Sequence, residues 1–142
     1  MLNETISGSC LCGAIAFEVS HLERVTANCH CTMCRKFHGA AFATFGVARF
    51  QEFTWQRGQD LLGSFEASNG TTRRFCSKCG SSLIFEPNDN SDEFVLFALG
   101  ALDTPIDKKP ESHIFTGFKA FWFEITDGLP QFKESANVDG KT

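Results

Sequence analysis

The spacing of the cysteines constrains this chain more than any other feature. Seven of its 142 residues are cysteine. They fall in three short groups: Cys10-Leu11-Cys12, then Cys29-His30-Cys31-Thr32-Met33-Cys34, then Cys76-Ser77-Lys78-Cys79. An odd number of thiols cannot all pair as disulfides, and thiols this densely grouped point first to metal. A closed tetrahedral zinc site takes four thiolates, whereas a catalytic zinc takes three protein ligands and keeps one position open. Four plus three uses every cysteine. The natural division sets Cys10, Cys12, Cys76 and Cys79 as the closed site and Cys29, Cys31 and Cys34 as the open one. Spacing alone leaves two alternatives: a site that adds His30 or His38 to the central triplet, and a single zinc site beside spare buried thiols. If Cys29 and Cys31 both ligate, the side chain of His30 between them points the other way.

Around the cysteines the pattern is one of short strands. Ala14-Ile15-Ala16-Phe17-Glu18-Val19 alternates, with Ile15, Phe17 and Val19 on one face. Further strands are expected at 39–47, 49–55, 61–67, 71–75, 82–86 and 94–99, with Phe53 and Trp55 sharing a face. Residues 56–60 read as a turn and Ser68-Asn69-Gly70 as a hairpin signal. Residues 1–9 read as a polar lead-in, 21–28 as a connection, 87–92 as a polar loop, 103–112 as irregular and the end from Glu134 as loose. Residues 32–37 suffice for one helical turn, which suits ligands at Cys31 and Cys34, three apart on one face. Gly8 and Gly13 bracket the first knuckle, where glycine lets the backbone wrap a metal.

Three motifs in this order carry a family resemblance: Ser9-Cys10-Leu11-Cys12-Gly13, Cys29-His30-Cys31-Thr32-Met33-Cys34-Arg35-Lys36 and Phe75-Cys76-Ser77-Lys78-Cys79-Gly80. They resemble the glutathione-dependent formaldehyde-activating enzyme family, which also includes centromere-protein-V-like proteins. His113-Ile114 and the run 122–130 are similar too, so the resemblance covers roughly residues 7–132. It implies a mainly β fold of the β-tent zinc-binding type with short helical turns, in one domain over 1–142. It also implies the ligand division above, with a structural zinc on Cys10, Cys12, Cys76 and Cys79 and a catalytic, labile zinc on Cys29, Cys31 and Cys34. The activity it implies is addition of the glutathione thiol to formaldehyde, giving S-hydroxymethylglutathione, a carbon–sulfur lyase reaction read in reverse. The family is broad, so a related thiol–aldehyde adduct is also within its reach. Glutathione, as cosubstrate, would need cations for its carboxylates. Arg35, Lys36, Arg73 and Arg74 are the candidates, and alternation sends the last two to opposite faces of a strand. Phe37, Phe42 and Trp122 are the candidate lining of the pocket.

Composition narrows the partners. Thirteen basic and seventeen acidic residues give a net charge of −4, which argues against a nucleic-acid surface. No apolar run approaches the ~20 residues of a membrane span. Sixteen phenylalanines, two tryptophans and no tyrosine make the core aromatic and exclude a phenolic general acid. There is no glycine-rich phosphate loop and no dinucleotide fingerprint. Met1-Leu2-Asn3-Glu4-Thr5 lacks the basic and apolar regions of a secretion signal, so the expected compartment is the cytoplasm, where thiols stay reduced. The expected partners are a small-molecule thiol and aldehyde, with neither nucleic acid nor membrane, and the aromatic-rich chain with its edge strands suits a homodimer.

The chemistry of the open site follows from its ligands. Zinc on three thiolates carries a net charge of about −1 and is a poor Lewis acid, less suited to making hydroxide than to accepting a fourth sulfur. A thiol on such a centre is deprotonated near neutral pH and can attack an electrophilic carbon. The competing reading is a non-catalytic zinc-stabilised binding module of the same fold, which would need only the closed site. A thiol redox enzyme, akin to methionine sulfoxide reductases, ranks below both because the remaining thiols cluster like ligands. His38 and His113 are acid–base candidates that also read as packed core residues. Asp127, before Gly128-Leu129-Pro130, reads as a turn residue.

Overall fold

The computed structural model describes residues 5–87 and 93–135. Most of the expected 87–92 loop, the opening four residues and the last part of the polar tail lie outside the described residues. In chain order the strands are β1 (Ile6–Ser9), β2 (Ala16–Val19), β3 (Arg24–Val25), β4 (Asn28–Cys29), β5 (Phe45–Arg49), β6 (Phe53–Arg57), β7 (Leu62–Glu66), β8 (Thr72–Cys76), β9 (Ser82–Glu86), β10 (Phe94–Ala98) and β11 (His113–Ile114). One α-helix, α1 (Thr32–His38), and short 3-10 turns complete the described residues. The mainly β class expected from the sequence is the class observed. Among the described residues no helix is long and apolar enough to cross a membrane.

The chain divides into two compact units, one within Met1–Arg24 and Gly46–Asp107, the other within Val25–Phe45 and Lys108–Thr142. In the first unit, β1, β2 and β6 form an antiparallel sheet in the order β1-β2-β6. Alternation on β2 and the residue before it puts Ile15, Phe17 and Val19 inward, each 0% exposed. Burying side chains of this size stabilises the fold by about 1.5–3 kcal/mol apiece. The Phe17 ring stacks on Phe53 at 5.0 Å and meets Trp55 edge-on at 6.0 Å. Residues 6–9 are thus a strand rather than part of a lead-in. Gly8 serves that strand and not the knuckle: a Cβ there would stand 2.3 Å from the tip of the Phe17 ring.

A six-stranded sheet runs in the order β3-β5-β10-β9-β8-β7. The hairpin signal at 68–70 joins antiparallel β7 and β8, with Gly70 at φ 90°. On β8 the neighbouring arginines separate as alternation requires. Arg73 is buried, its guanidinium 4.7 Å from the Phe85 ring centre, while Arg74 reaches out and forks onto Glu86 at 2.7 and 3.3 Å. Two expected strands shift. The segment expected at 39–47 becomes β5 only from Phe45, because α1 ends on Gly39 in the left-handed region (φ 60°). The segment expected at 49–55 opens with a 3-10 turn, Phe50–Glu52, before β6.

The second unit is built on a short parallel pair. β4 and β11 align Asn28 with His113 and Cys29 with Ile114. The expected connection at 21–28 therefore contains β3 and the start of β4. After β11 the chain turns through a 3-10 segment, Thr116–Phe118, into an aromatic stretch where Phe121 is 97% and Trp122 62% exposed.

Candidate metal centres and a histidine relay

Cys10 and Cys12 lie on the connection from β1 to β2, Cys76 ends β8, and Cys79 lies on the turn into β9. Their four sulfurs fall within 4.8 Å of one another. Cys10 to Cys12 is 3.7 Å and Cys12 to Cys76 is 3.9 Å. A tetrahedron with zinc–sulfur arms of about 2.3 Å has edges of about 3.8 Å, so this donor set fits zinc. The backbone prepares the sulfurs for negative charge. Ile15 N–H donates to Cys10 Sγ at 3.2 Å, Cys12 N–H to Cys79 Sγ at 3.4 Å, and Lys78 and Cys79 N–H to Cys76 Sγ at 3.3 and 3.4 Å. Hydrogen bonds from Ser81, then from the Cys12 amide, draw the Cys79 thiol down to about 5. Gly13 (φ 81°) and Gly80 (φ 84°) turn the chain after each knuckle in a conformation that strains any residue with a Cβ. Their amides donate to the carbonyls of Cys10 and Cys76 at 3.0 and 2.7 Å.

In the second unit Cys29 ends β4, Cys31 caps α1 and Cys34 sits in its first turn. These three sulfurs also lie within 4.8 Å of one another. Cys31 sits in the extended region (φ −65°, ψ 156°) just before the helix, and its Sγ accepts the Cys34 N–H at 3.3 Å. One sulfur thereby caps the helix and belongs to the cluster. Cys29 is pinned to Ala43 by two backbone hydrogen bonds of 2.9 and 3.0 Å. Hydrogen bonding with Cys31, then with Cys34, and burial hold the Cys29 thiol well above its ordinary range. Three sulfurs so close cannot all ionise without a cation among them, and their spacing would suit one metal ion. Neither His30 nor His38 belongs to either sulfur group. His38 lies against Phe37 at 5.3 Å and Phe45 at 5.5 Å. Arg35, half-buried, and Lys36, exposed, follow Cys34 on α1.

The imidazole of His30 turns inward and is 0% exposed. Its Nε2 lies 2.8 Å from Nδ1 of His113, and Nε2 of His113 lies 2.9 Å from Oδ2 of Asp127. The β4–β11 ladder sets this up. Asn28 N–H donates to the Ser112 carbonyl at 2.9 Å and His30 N–H to the Ile114 carbonyl at 3.0 Å, so residues 30 and 113 are held side by side. Phe42 packs on both rings, at 5.1 Å from His30 and 5.7 Å from His113, and Phe123 flanks Phe42 at 5.9 Å. Burial, then the neighbouring His113, Lys119 and Arg35, push the His30 pKa down to about 4, so the ring is neutral at pH 7. The hydrogen bond from His113, then the one from the Leu129 amide, hold the Asp127 carboxyl below its ordinary range.

Sequence reasoning missed this relay. It took Asp127 as a turn residue, which it is: Oδ1 accepts the Leu129 N–H at 3.0 Å. It did not see that the second oxygen holds His113. A signal was present, since a histidine turned away from two ligand neighbours enters the interior, and a buried imidazole needs a polar partner. Of the aromatics expected around the site, Phe42 lies against the relay, whereas Trp122 is largely exposed and touches Phe123 edge-on at 6.4 Å.

Fold and sulfur geometry together define a class: a mainly β protein with two groups of cysteines, each gathered closely enough that it could hold a metal ion. Within that class the chain belongs to the glutathione-dependent formaldehyde-activating enzyme family, whose model matches residues 5–117. This is the family the cysteine motifs resembled. The match takes in all seven cysteines, His30 and His113, and stops short of Asp127. The chain is 30% identical to a Halomonas elongata protein provisionally named a glutathione-dependent formaldehyde-activating enzyme, over 84% of this chain and 80% of that protein. A Schizosaccharomyces pombe protein described as an uncharacterized lyase is 26% identical over 64% of each chain. A Rhodobacter sphaeroides protein of known crystal structure shares the fold, with a TM-score of 0.58 and 24% identity over 70% of this chain and 90% of that one.

Proposed function

We propose that the protein joins the thiol of glutathione to formaldehyde, or to a closely related small aldehyde, and that Cys29, Cys31 and Cys34 are the zinc ligands of the reaction centre. The observation that carries this reading is the second sulfur cluster. A zinc-stabilised scaffold needs only Cys10, Cys12, Cys76 and Cys79, which in this reading hold the structural ion. Three further sulfurs within 4.8 Å, on a separate unit, have no use in a scaffold. Bound zinc would supply a soft centre that prefers a fourth sulfur to water.

The reaction balances without a redox partner. A carbon–sulfur bond forms at the carbonyl carbon, the carbonyl π pair moves onto oxygen, and the proton lost by the thiol ends there. Run backward, this is a carbon–sulfur lyase reaction. Arg35 and Lys36 anchor the glutathione carboxylates. Arg74 is already engaged by Glu86 and Arg73 is buried against Phe85, which leaves the two cations on α1. The chemistry belongs in the cytoplasm, where glutathione and free thiols stay reduced.

The test is Cys31→Ser. Anaerobically purified wild-type protein should hold two zinc ions per chain. The variant should stay folded and keep one. Its glutathione-dependent adduct formation should drop by more than the roughly hundredfold that a change outside the ligand shell can cost. Unchanged activity in folded Cys31→Ser protein would sink the reading.

A further inference from the structure

β7 is the last strand of the six-stranded sheet, and among the described residues no strand pairs with its outer side. Its inner side is fixed by β8. The ladder runs from Ala67 N–H on the Thr71 carbonyl at 2.8 Å to Ser77 N–H on the Leu61 carbonyl at 2.9 Å, with Gly63 aligned on Phe75 and Phe65 on Arg73. In an antiparallel ladder every second residue turns its backbone groups to the neighbour. Residues 61, 63, 65 and 67 therefore bond to β8, and Leu62, Ser64 and Glu66 turn their groups outward. Leu62 N–H bends back onto the Gln59 carbonyl. Both backbone groups of Ser64, both of Glu66 and the Leu62 carbonyl remain for an added strand.

Sheet edges are commonly guarded by lysine, proline or a bulge. β7 carries none of these: Leu-Gly-Ser-Phe-Glu keeps regular register over all five residues, with its one charge at the last. Phe65 stands 60% exposed. The strand is also complementary to itself. Two copies laid antiparallel about a two-fold axis pair all five residues in one register only, with Ser64 on the axis. That register sets Leu62 against Glu66, and Gly63 against Phe65 of the other copy, so no like charges face each other. Gly63 and Phe65 fall at the non-hydrogen-bonded positions of the new ladder, where Cα atoms approach to about 4.5 Å. A side chain at 63 would crowd an aromatic ring there; glycine admits it. The arriving ring has a partner, because the tip of the Phe75 ring lies 2.6 Å from where a Cβ on Gly63 would stand. Phe75 thus lies across Gly63 on the face that Phe65 of the second copy would reach.

We propose that β7 is a self-pairing edge: two copies of the chain join antiparallel through Leu62–Glu66 and continue the six-stranded sheet across a two-fold axis. Four backbone hydrogen bonds close the seam, two between the Ser64 residues and two from Glu66 N–H to the Leu62 carbonyl of the other copy. Phe65 of each copy covers Gly63 and meets Phe75 of the other. The same patch serves both copies, as a two-fold contact requires. It rests on five residues a side, well short of the roughly 20–30 of a standard interface, so the dimer is reversible and dissociates on dilution. The pairing uses no cysteine of either cluster and stands independently of the adduct reaction.

Sedimentation equilibrium of the zinc-loaded full chain should show monomer and dimer exchanging with concentration. In a mixture of isotope-labelled and unlabelled chains, filtered NMR should show the Hα of Gly63 in contact with the Hα of Phe65 in the other copy. Ser64→Pro removes the central donor and spares the ladder to β8, since an edge strand tolerates proline where its N–H faces outward. By symmetry it deletes two hydrogen bonds and should weaken the dimer roughly tenfold or more. Phe65→Lys places a charge on the edge and takes away the aromatic contact, and it should weaken the dimer in the same direction. Both variants should keep the circular dichroism of the wild type. A wild-type chain that stays monomeric at every concentration would overturn the proposal and leave this edge to an extended segment of another protein. A dimer that the two folded variants form with wild-type affinity, or one lacking the contact between Gly63 and Phe65, would overturn it too, because its seam lies elsewhere.

Discussion

Asp127 serves the site through two atoms, one closing the turn to Leu129 and the other holding His113. Its effect on stability has a definite sign. The folded carboxyl is held below its ordinary value of 3.8, first by the hydrogen bond from His113. The unfolded chain thus takes up this proton at a higher pH than the folded chain does. The contribution to stability is complete above the ordinary carboxylate range and is lost as pH falls through the folded value. The melting-temperature gap between wild type and Asp127→Ala should be widest at neutral pH and close on acidification below about pH 4. A gap that stays constant down to acid pH would show that the carboxylate has no such partner. The cysteines of both clusters were legible because ligands two or three residues apart announce themselves in any short window. The relay joins residues 30, 113 and 127, and nothing local links them. The parallel pairing of β4 with β11 brings residue 30 to 113, a parallel bridge from His113 to Gln131 brings in the segment that follows Asp127, and pairings this short leave no periodicity to read.

Elements were legible where one face is buried and the alternation is apolar. β2 showed itself through Ile15, Phe17 and Val19. β1 did not, because Ile-Ser-Gly-Ser offers one large apolar residue; what makes it a strand is its partner, which fills the space over Gly8. The hairpin of β7 and β8 could be read from its turn residues. The late start of β5 could not, because it depends on Gly39 closing α1 and on a single bridge from Ala43 to Cys29. Gly8→Ala tests this packing. The added methyl meets the Phe17 ring at 2.3 Å, and overpacking of this kind costs about 1–3 kcal/mol. Denaturant unfolding should show the loss as a lower midpoint. An unchanged midpoint would mean that β1 is not pressed against Phe17.

On the scale of the whole molecule, each sulfur cluster lies within one unit. The four-cysteine site ties residue 10 to residue 79 inside the first, and binding energy at such a site is largely folding energy, on the order of ~10 kcal/mol for small zinc modules. Cys76→Ser should therefore give unfolded or insoluble protein, seen by circular dichroism or sedimentation. A soluble, folded but inactive variant would argue against a structural role. The same partition governs the two tryptophans. Trp55 meets Phe17 and Phe53 edge-on in the first unit, while Trp122 stands 62% exposed in the second. An indole among apolar rings emits to the blue of one in water. The protein thus carries an intrinsic two-colour fluorescence report, in which loosening of one unit or the other changes a different edge of the emission band, with no label attached.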